Sequence, residues 1–282
     1  MDILVSVLTP SFNQGNYIGA TLLSVMRQSY PAVEHIVLDG GSTDGTLAIT
    51  ANYAKRYRLA IPSEPDRGQA DALVKGIAKA GGEILGWLNS DDLYFSTNTI
   101  AAVVDAFRRW PEIGVVYGHI CLVNEENQIT GLRVAPRFSY QRLRIASFIP
   151  QPATFIRMSV AKRILPRDDL EFAMDYEWWL RLATAGVRFR RLDTILACFR
   201  LHGASKGRRL GLELMRQETR EAQRSQPGSQ PGWLYRAAVR ADGVQRRLLG
   251  AVWGQRLKST LPPVLHGITR IEGDDERRCG LR

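Results

Sequence analysis

The sequence predicts an α/β fold built on a mixed, mainly parallel sheet flanked by helices. Three observations carry the prediction. Apolar runs at residues 3–8, 33–38, 59–62 and 84–88 have the length and density of buried strands. Helical stretches separate them, at residues 17–28, 46–57 and up to about residue 80. The second, third and fourth strands each lead into a carboxylate-bearing joint: Asp39-Gly40-Gly41, Asp66-Arg67-Gly68 and Asn89-Ser90-Asp91-Asp92. Alternating strand and helix is the pattern of βαβ units. The carboxyl edge of such a sheet is where ligands bind.

The first run ends at Thr9-Pro10 with no G-x-G-x-x-G after it, so a dinucleotide-binding phosphate loop is excluded. Ile18, Leu22, Val25 and Met26 give the first helix its spacing, and Tyr30-Pro31 stops it. After the second strand, Gly40 and Gly41 allow a tight turn, and Ser42, Thr43 or Asp44 can cap the helix over 46–57. Gly81-Gly82 ends the third helix and feeds the strand at 84–88. Beyond it we expect a helix over 96–109, a strand over 115–123 with an antiparallel return over 129–134, and a short helix over 139–146. A strand at 153–156 follows, then a helix carrying Asp175 at or before its first turn, and a last strand over 190–199. Trp179, Leu182 and Ala183 are expected on that helix's core side.

The chain is organised around residues 83–94, E-I-L-G-W-L-N-S-D-D-L-Y. Adjacent carboxylates repel unless a proton or a cation resolves the clash. Mg²⁺ or Mn²⁺ holding substrate phosphates is the usual resolution for oxygen ligands.

The net charge of +10 invites a nucleic-acid reading, but its location argues otherwise. Residues 206–282 hold 16 Lys/Arg against 8 Asp/Glu, a net of +8, leaving +2 for residues 1–205. A basic extension without a recognised module points to an anionic surface, with no nucleic-acid partner. Cys121, Cys198 and Cys279 are too dispersed for a disulfide framework or a metal-ligand motif, which fits a reducing compartment. The N-terminal residues lack the features of a signal peptide, and no apolar run is long enough to span a bilayer. We expect a main domain over 1–205, a helical basic extension over 206–258 with a linker near 225–232, and a disordered tail over 259–282. In that extension Trp233, Ala237, Ala241, Val244, Leu248 and Val252 share one helix face, suiting either a membrane surface or docking on the main domain.

Six segments in order resemble the family 2 glycosyltransferases, nucleotide-sugar-dependent enzymes of the GT-A fold, over roughly residues 4–205. They are V-S-V-L-T-P-S-F-N-Q-G, I-V-L-D-G-G-S-T-D-G-T, S-E-P-D-R-G-Q-A-D-A-L-V-K-G-I, G-E-I-L-G-W-L-N-S-D-D-L-Y, M-D-Y-E-W-W-L-R-L and F-R-L-H-G-A-S. The resemblance implies a nucleotide-diphospho-sugar transferase fold, with Asp39 meeting the base, Asp66 nearby and Pro10 bordering the pocket. Asn89 stands at the first position of the family's D-x-D, and Asp91 at its third. It further implies Mn²⁺ or Mg²⁺ on Asp91 and Asp92, with His202 reaching the metal or the diphosphate. Asp175 would be the general base of an inverting transfer. The Q-x-x-R-W signature of processive relatives is missing, since residues 141–145 read Q-R-L-R-I, which implies a non-processive enzyme. The implied donor is a nucleotide sugar, UDP-linked by preference. The implied acceptor is a glycan or a lipid-linked hydroxyl, as in cell-surface polysaccharide or glycoconjugate synthesis. The expected place is the cytoplasm, peripheral to the inner face of the membrane. Asn89 in place of Asp, and Met174 in place of Glu, keep a non-catalytic nucleotide-sugar-binding relative as the alternative.

Overall fold

The computed structural model describes residues 2–203, 211–228 and 232–257. The strands are β1 (Val5–Ser11), β2 (Val33–Asp39), β3 (Leu59–Ala60), β4 (Ile84–Trp87), β5 (Leu93–Tyr94), β6 (Val115–Val123), β7 (Ile129–Arg133), β8 (Thr154–Arg157) and β9 (Phe189–Arg200). The helices are α1 (Ile18–Met26), α2 (Thr46–Ala54), α3 (Gln69–Lys79), α4 (Thr99–Arg109), α5 (Tyr140–Leu143), α6 (Met158–Arg163), α7 (Met174–Thr184), α8 (Gly211–Arg224) and α9 (Trp233–Leu257).

One sheet runs in the order β3-β2-β1-β4-β8-β6-β9-β5, with β7 paired to β6. β1 lies parallel to β2 and β4, and β2 to β3, as the βαβ pattern predicts. β8 then runs antiparallel to both β4 and β6, while β6 and β9 are parallel. All seven residues of β1 are buried, its small polar residues Ser6, Thr9 and Ser11 included, so it shows no exposed face. Successive side chains still part to opposite faces. Leu8, Leu85 and Val115 join a layer with α3, α6 and α7. Val7, Ile84 and Val116 join the layer covered by α4 through Ile100, Val103 and Phe107. Removing one such buried side chain would cost about 2–5 kcal/mol. α3 presses closely on the sheet, because a Cβ at Gly76 would lie 2.5 Å from Leu38 Cδ1 and 2.9 Å from Leu8 Cδ1.

Among the described residues, β5 and α6 escaped the sequence reading, as did a 3-10 turn over Gln151–Ala153. β5 has two residues and α6 has six, too few for either to establish a period. The cap of α2 is also resolved. Ser42 Oγ instead accepts from the Asn13 N–H, and the Thr43 N–H donates to Asn13 Oδ1. The N-cap position itself is Gly45, and Asp44 just before it accepts from the Thr46 N–H at 2.9 Å.

The C-terminal extension is bound into the domain. α8 lies on α7, with Ala222 in the core and Glu221 paired to Arg167 at 3.1 Å. Within the expected linker, Gln226 is buried and accepts from Thr184 Oγ1, and Arg144 donates to the Gly228 carbonyl. α9 docks on β7 through Gly250, where no Cβ would fit against the Leu132 carbonyl. Asp242 pairs with Arg142 at 2.7 Å, and Tyr235 meets Ser139 at 3.4 Å. The expected apolar face of α9 points outward: Trp233 is 75% exposed, Leu248 66% and Val252 55%. The tail expected to be disordered lies outside the described residues. No described helix is long and apolar enough to cross a membrane.

Candidate active site

A cleft of about 570 Å³ opens at the carboxyl edge of the parallel strands. The end of β1 and its loop contribute Pro10, Ser11, Phe12 and Gln14. The joint before α3 contributes Asp66 and Arg67, and the end of β4 contributes Asn89, Ser90 and Asp91. Asp168, Asp169, Leu170 and Glu171, from the segment leading into α7, form the facing wall. Arg67 bonds both Asp71 and Asp168 and so connects α3 to that wall. Its guanidinium holds the Asp71 carboxyl down at about 2.

Asp39 sits beside this cleft, 1% exposed, in a smaller hollow it shares with Asp66. Its Oδ2 accepts from the Gly41 and Ser42 N–H groups and from Ser63 Oγ. Its Oδ1 has no hydrogen-bond partner. An orphaned buried acceptor costs about 1–3 kcal/mol, so one beside a cleft is a place for a ligand donor. Gly40 permits the approach, since a Cβ there would lie 2.7 Å from Asp66 Oδ2. Ser11 Oγ and Gln14 Oε1, both on the cleft wall, are also buried without partners. Neither was singled out from sequence, because nothing in the order of residues marks an unsatisfied atom.

Asn89 is fully engaged. Its Oδ1 accepts from Trp87 Nε1 at 2.9 Å and from Gln69 Nε2 at 2.5 Å. Its Nδ2 donates to Gln151 Oε1 at 3.0 Å, while Gln151 Nε2 donates to the Trp87 carbonyl at 2.6 Å. The indole N–H can only donate and the carbonyl can only accept, so both amide orientations are determined. An amide at 89 is what this network requires.

The two adjacent carboxylates diverge. Asp91 lines the cleft, and its Oδ2 lies 2.9 Å from His202 Nε2. Asp92 turns into the interior at 1% exposure, and its Oδ1 accepts the Arg200 N–H at 3.0 Å. Burial, then the charge of Asp91, pushes the Asp92 pKa well above the ordinary carboxylate range. Asp92 is therefore not brought to the cleft with Asp91. The turn that separates them is tied down by Arg200, a residue the sequence reading passed over. Its guanidinium donates to the carbonyls of Asp91, Asn124 and Glu125 and to Asn127 Oδ1, and it stacks over Tyr17. Tyr17 in turn lies 4.4 Å, centroid to centroid, from His202.

Among the described residues, no three His, Cys, Asp or Glu groups converge as a metal cage. Asp91 opens on the cleft, while His202, 3% exposed and not among the lining residues, meets it at 2.9 Å; together they offer one carboxylate and one imidazole. That donor set fits a hard divalent cation which takes its remaining ligands from a diphosphate and water. Asp175 stands half-buried in the first turn of α7, its Oδ1 accepting the Tyr176 N–H at 2.6 Å. It is not among the residues lining the cleft, though the wall ends four positions before it.

The model of the family described as Glycosyl transferase family 2 matches residues 6–165. An uncharacterized glycosyltransferase of Mycobacterium tuberculosis is 33% identical over 185 residues, covering 64% of this chain and 68% of its own length. The S. aureus protein TarS, crystallised with UDP-GlcNAc, superposes with a TM-score of 0.64 at 18% identity, over 86% of this chain and 72% of that one. The mannosyltransferase PcManGT of Pyrobaculum calidifontis, in complex with GDP-Man and Mn²⁺, gives 0.62 at 21% identity, over 93% and 74%. The curled, mainly parallel sheet is thus that of the GT-A glycosyltransferases, and the chain belongs to glycosyl transferase family 2.

Proposed function

We propose that this glycosyltransferase moves a sugar from a nucleoside-diphosphate sugar, with UDP as the favoured nucleotide, onto a hydroxyl of a glycan or lipid-linked acceptor. The transfer is non-processive, inverts the anomeric centre and serves cell-surface polysaccharide or glycoconjugate synthesis. One observation carries the reading. Asp66, Asn89 and Asp91 converge on a single cleft beside Asp39, whose Oδ1 is buried without a partner.

Asp39 Oδ1 accepts an N–H of the nucleotide base, with Asp66 and Pro10 bounding the same end of the site. Mn²⁺ or Mg²⁺ on Asp91 and His202 would neutralise the charge that builds on the departing diphosphate. Asp175 takes the proton of the acceptor hydroxyl as it attacks, from the side of the α7 wall. A single base opposite the leaving group gives one displacement and hence inversion. Asp92 holds the Asp91 turn through Arg200 rather than binding the cation. The outward apolar face of α9, flanked by exposed Arg240 and Arg247, suits the anionic inner face of the cytoplasmic membrane.

Calorimetric titration of UDP with Mn²⁺ and then with chelator tests the donor site. Chelation, or Asp91→Asn, should weaken UDP by about tenfold or more, the scale of one charge-assisted contact. Asp92→Asn should leave UDP affinity unchanged. Equal affinity with and without the cation would remove the metal from the site.

A further inference from the structure

Helix α7 begins without a cap of its own. Its N-cap position is Ala173, which has no side-chain acceptor, and the preceding residues are Leu170, Glu171 and Phe172. Helix starts leave backbone N–H groups unsatisfied, and Ser, Thr, Asp or Asn usually serves them locally. Here the acceptor comes from elsewhere in the chain. Glu218 of α8 is 7% exposed, and its carboxylate accepts the N–H groups of Glu171, Phe172 and Ala173 at 3.0, 2.8 and 2.8 Å.

A buried carboxylate is costly unless it is fully hydrogen-bonded, so mere packing does not account for a glutamate at this position. Three backbone donors and the positive end of the α7 dipole satisfy it. The residues it grips lie between two functional parts. Asp168 to Glu171 form the cleft wall on one side, and Asp175 follows on the other. α8 is itself seated on this region, with Gln223 donating to the Ile145 carbonyl and to the Tyr176 hydroxyl.

We infer that Glu218 is a positioning residue for transfer: it fixes, from the C-terminal extension, the turn that sets both the acceptor wall and the base. The inference rests on the reading of Asp175 as the base. It makes α8 part of the catalytic unit, whereas the sequence alone places the domain boundary before it. The donor side of the cleft, built on β1, β2 and β4, reaches this segment through the Arg67–Asp168 pair and not through residues 171–173.

The test uses the full chain with three variants, Glu218→Ala, Glu218→Gln and the control Glu221→Gln on the same helix. Each is assayed well below its melting transition, with the folded fraction checked by circular dichroism. UDP release from a panel of UDP-sugars, with water as acceptor, reports turnover. Calorimetry reports UDP affinity, and hydrogen exchange reports the amides of residues 171–173. Glu218→Ala should lower kcat by about tenfold or more, about 1.4 kcal/mol of barrier, and should speed exchange at those amides. UDP affinity should stay within about twofold, by the separation of donor binding from transfer. Glu218→Gln, which keeps one acceptor oxygen, should fall between Ala and wild type, and Glu221→Gln should match wild type. Unchanged kcat in Glu218→Ala, or a kcat loss matched by an equal loss of UDP affinity, overturns the inference. Failure of the base reading shows separately, as wild-type turnover in Asp175→Asn with Glu218 intact.

Discussion

Placing an aspartate at position 89 should damage this protein. In Asn89→Asp, Oδ1 can still accept from Trp87 Nε1 and Gln69 Nε2, but Nδ2 is replaced by an oxygen facing Gln151 Oε1. Gln151 cannot turn its amide to help without breaking its 2.6 Å bond to the Trp87 carbonyl. Two acceptors then face each other at about the 3.0 Å now spanned by a hydrogen bond. The loss is one bond plus the desolvation of the groups left unpaired, about 1–3 kcal/mol. For a domain of this size that is roughly 2–12 °C in Tm. Thermal melts of the single variant, of Gln151→Leu and of the double variant make a cycle, in which Asn89→Asp should cost less by about 1 kcal/mol once Gln151 is gone. Asn89→Asp melting at or above the wild-type temperature would refute the network argument. It would also reopen the view that Asn89 marks a lost function.

Other outcomes follow from the same geometry. Asp175→Asn should lower turnover by about 10²–10⁴-fold with UDP affinity nearly unchanged, as measured by paired kinetics and calorimetry. His35 is buried between Thr9 Oγ1 and the Tyr57 hydroxyl, and burial pulls its pKa down to about 3. The unfolded chain takes up that proton near pH 6.5 and the folded one does not. Stability should therefore be held above pH 6.5 and lost as the pH falls toward 3, at a slope approaching about 1.4 kcal/mol per unit. His35→Gln should be less stable at neutral pH yet show a flatter denaturant midpoint between pH 6.5 and 4. For α9, Leu248→Asp together with Val252→Asp should abolish sedimentation with anionic vesicles while leaving Tm within a degree or two, because both side chains already face solvent. Retained sedimentation would remove the membrane role.

The half of the cleft that carries Asp66, Asn89 and Asp91 was legible because its signals are local. A buried strand followed by a carboxylate and a glycine can be read within a dozen residues, and Asp66, Asn89 and Asp91 do meet at one cleft. Which of Asp91 and Asp92 faces that cleft was not legible, because a turn closed by the Asp92 N–H on the Asn89 carbonyl sends neighbouring side chains apart. Arg200 was invisible for another reason: its partners lie at positions 91, 92 and 124 to 127, and nothing in its own surroundings announces them. For α9 the period gave the apolar face but not its direction. The docking side is chosen instead by Asp242, which meets Arg142, and by Gly250 against Leu132. Glu218 looked like one charge among many on a polar helix.

The pairing of β5 has a consequence for the order in which the protein is made. β1 to β4 are in hand once residue 87 has been added, although the pairing of β1 with β4 already joins Val5 to Ile84. β5 pairs with β9, so Leu93 and Tyr94 wait about a hundred residues for Cys198 and Ala197. Contacts of such separation form late, because a long loop must close before they give any return. Arg200 arrives with the same strand, and Glu218 later still. The segments that carry Asp39, Asp66 and Asn89 are thus made well before the residues that hold the Asp91 turn and the α7 turn. On the proposed assignments, a chain that ends before Arg200 and Glu218 keeps Asp39, Asp66 and Asn89 but lacks the residues that hold the Asp91 turn and the turn before Asp175.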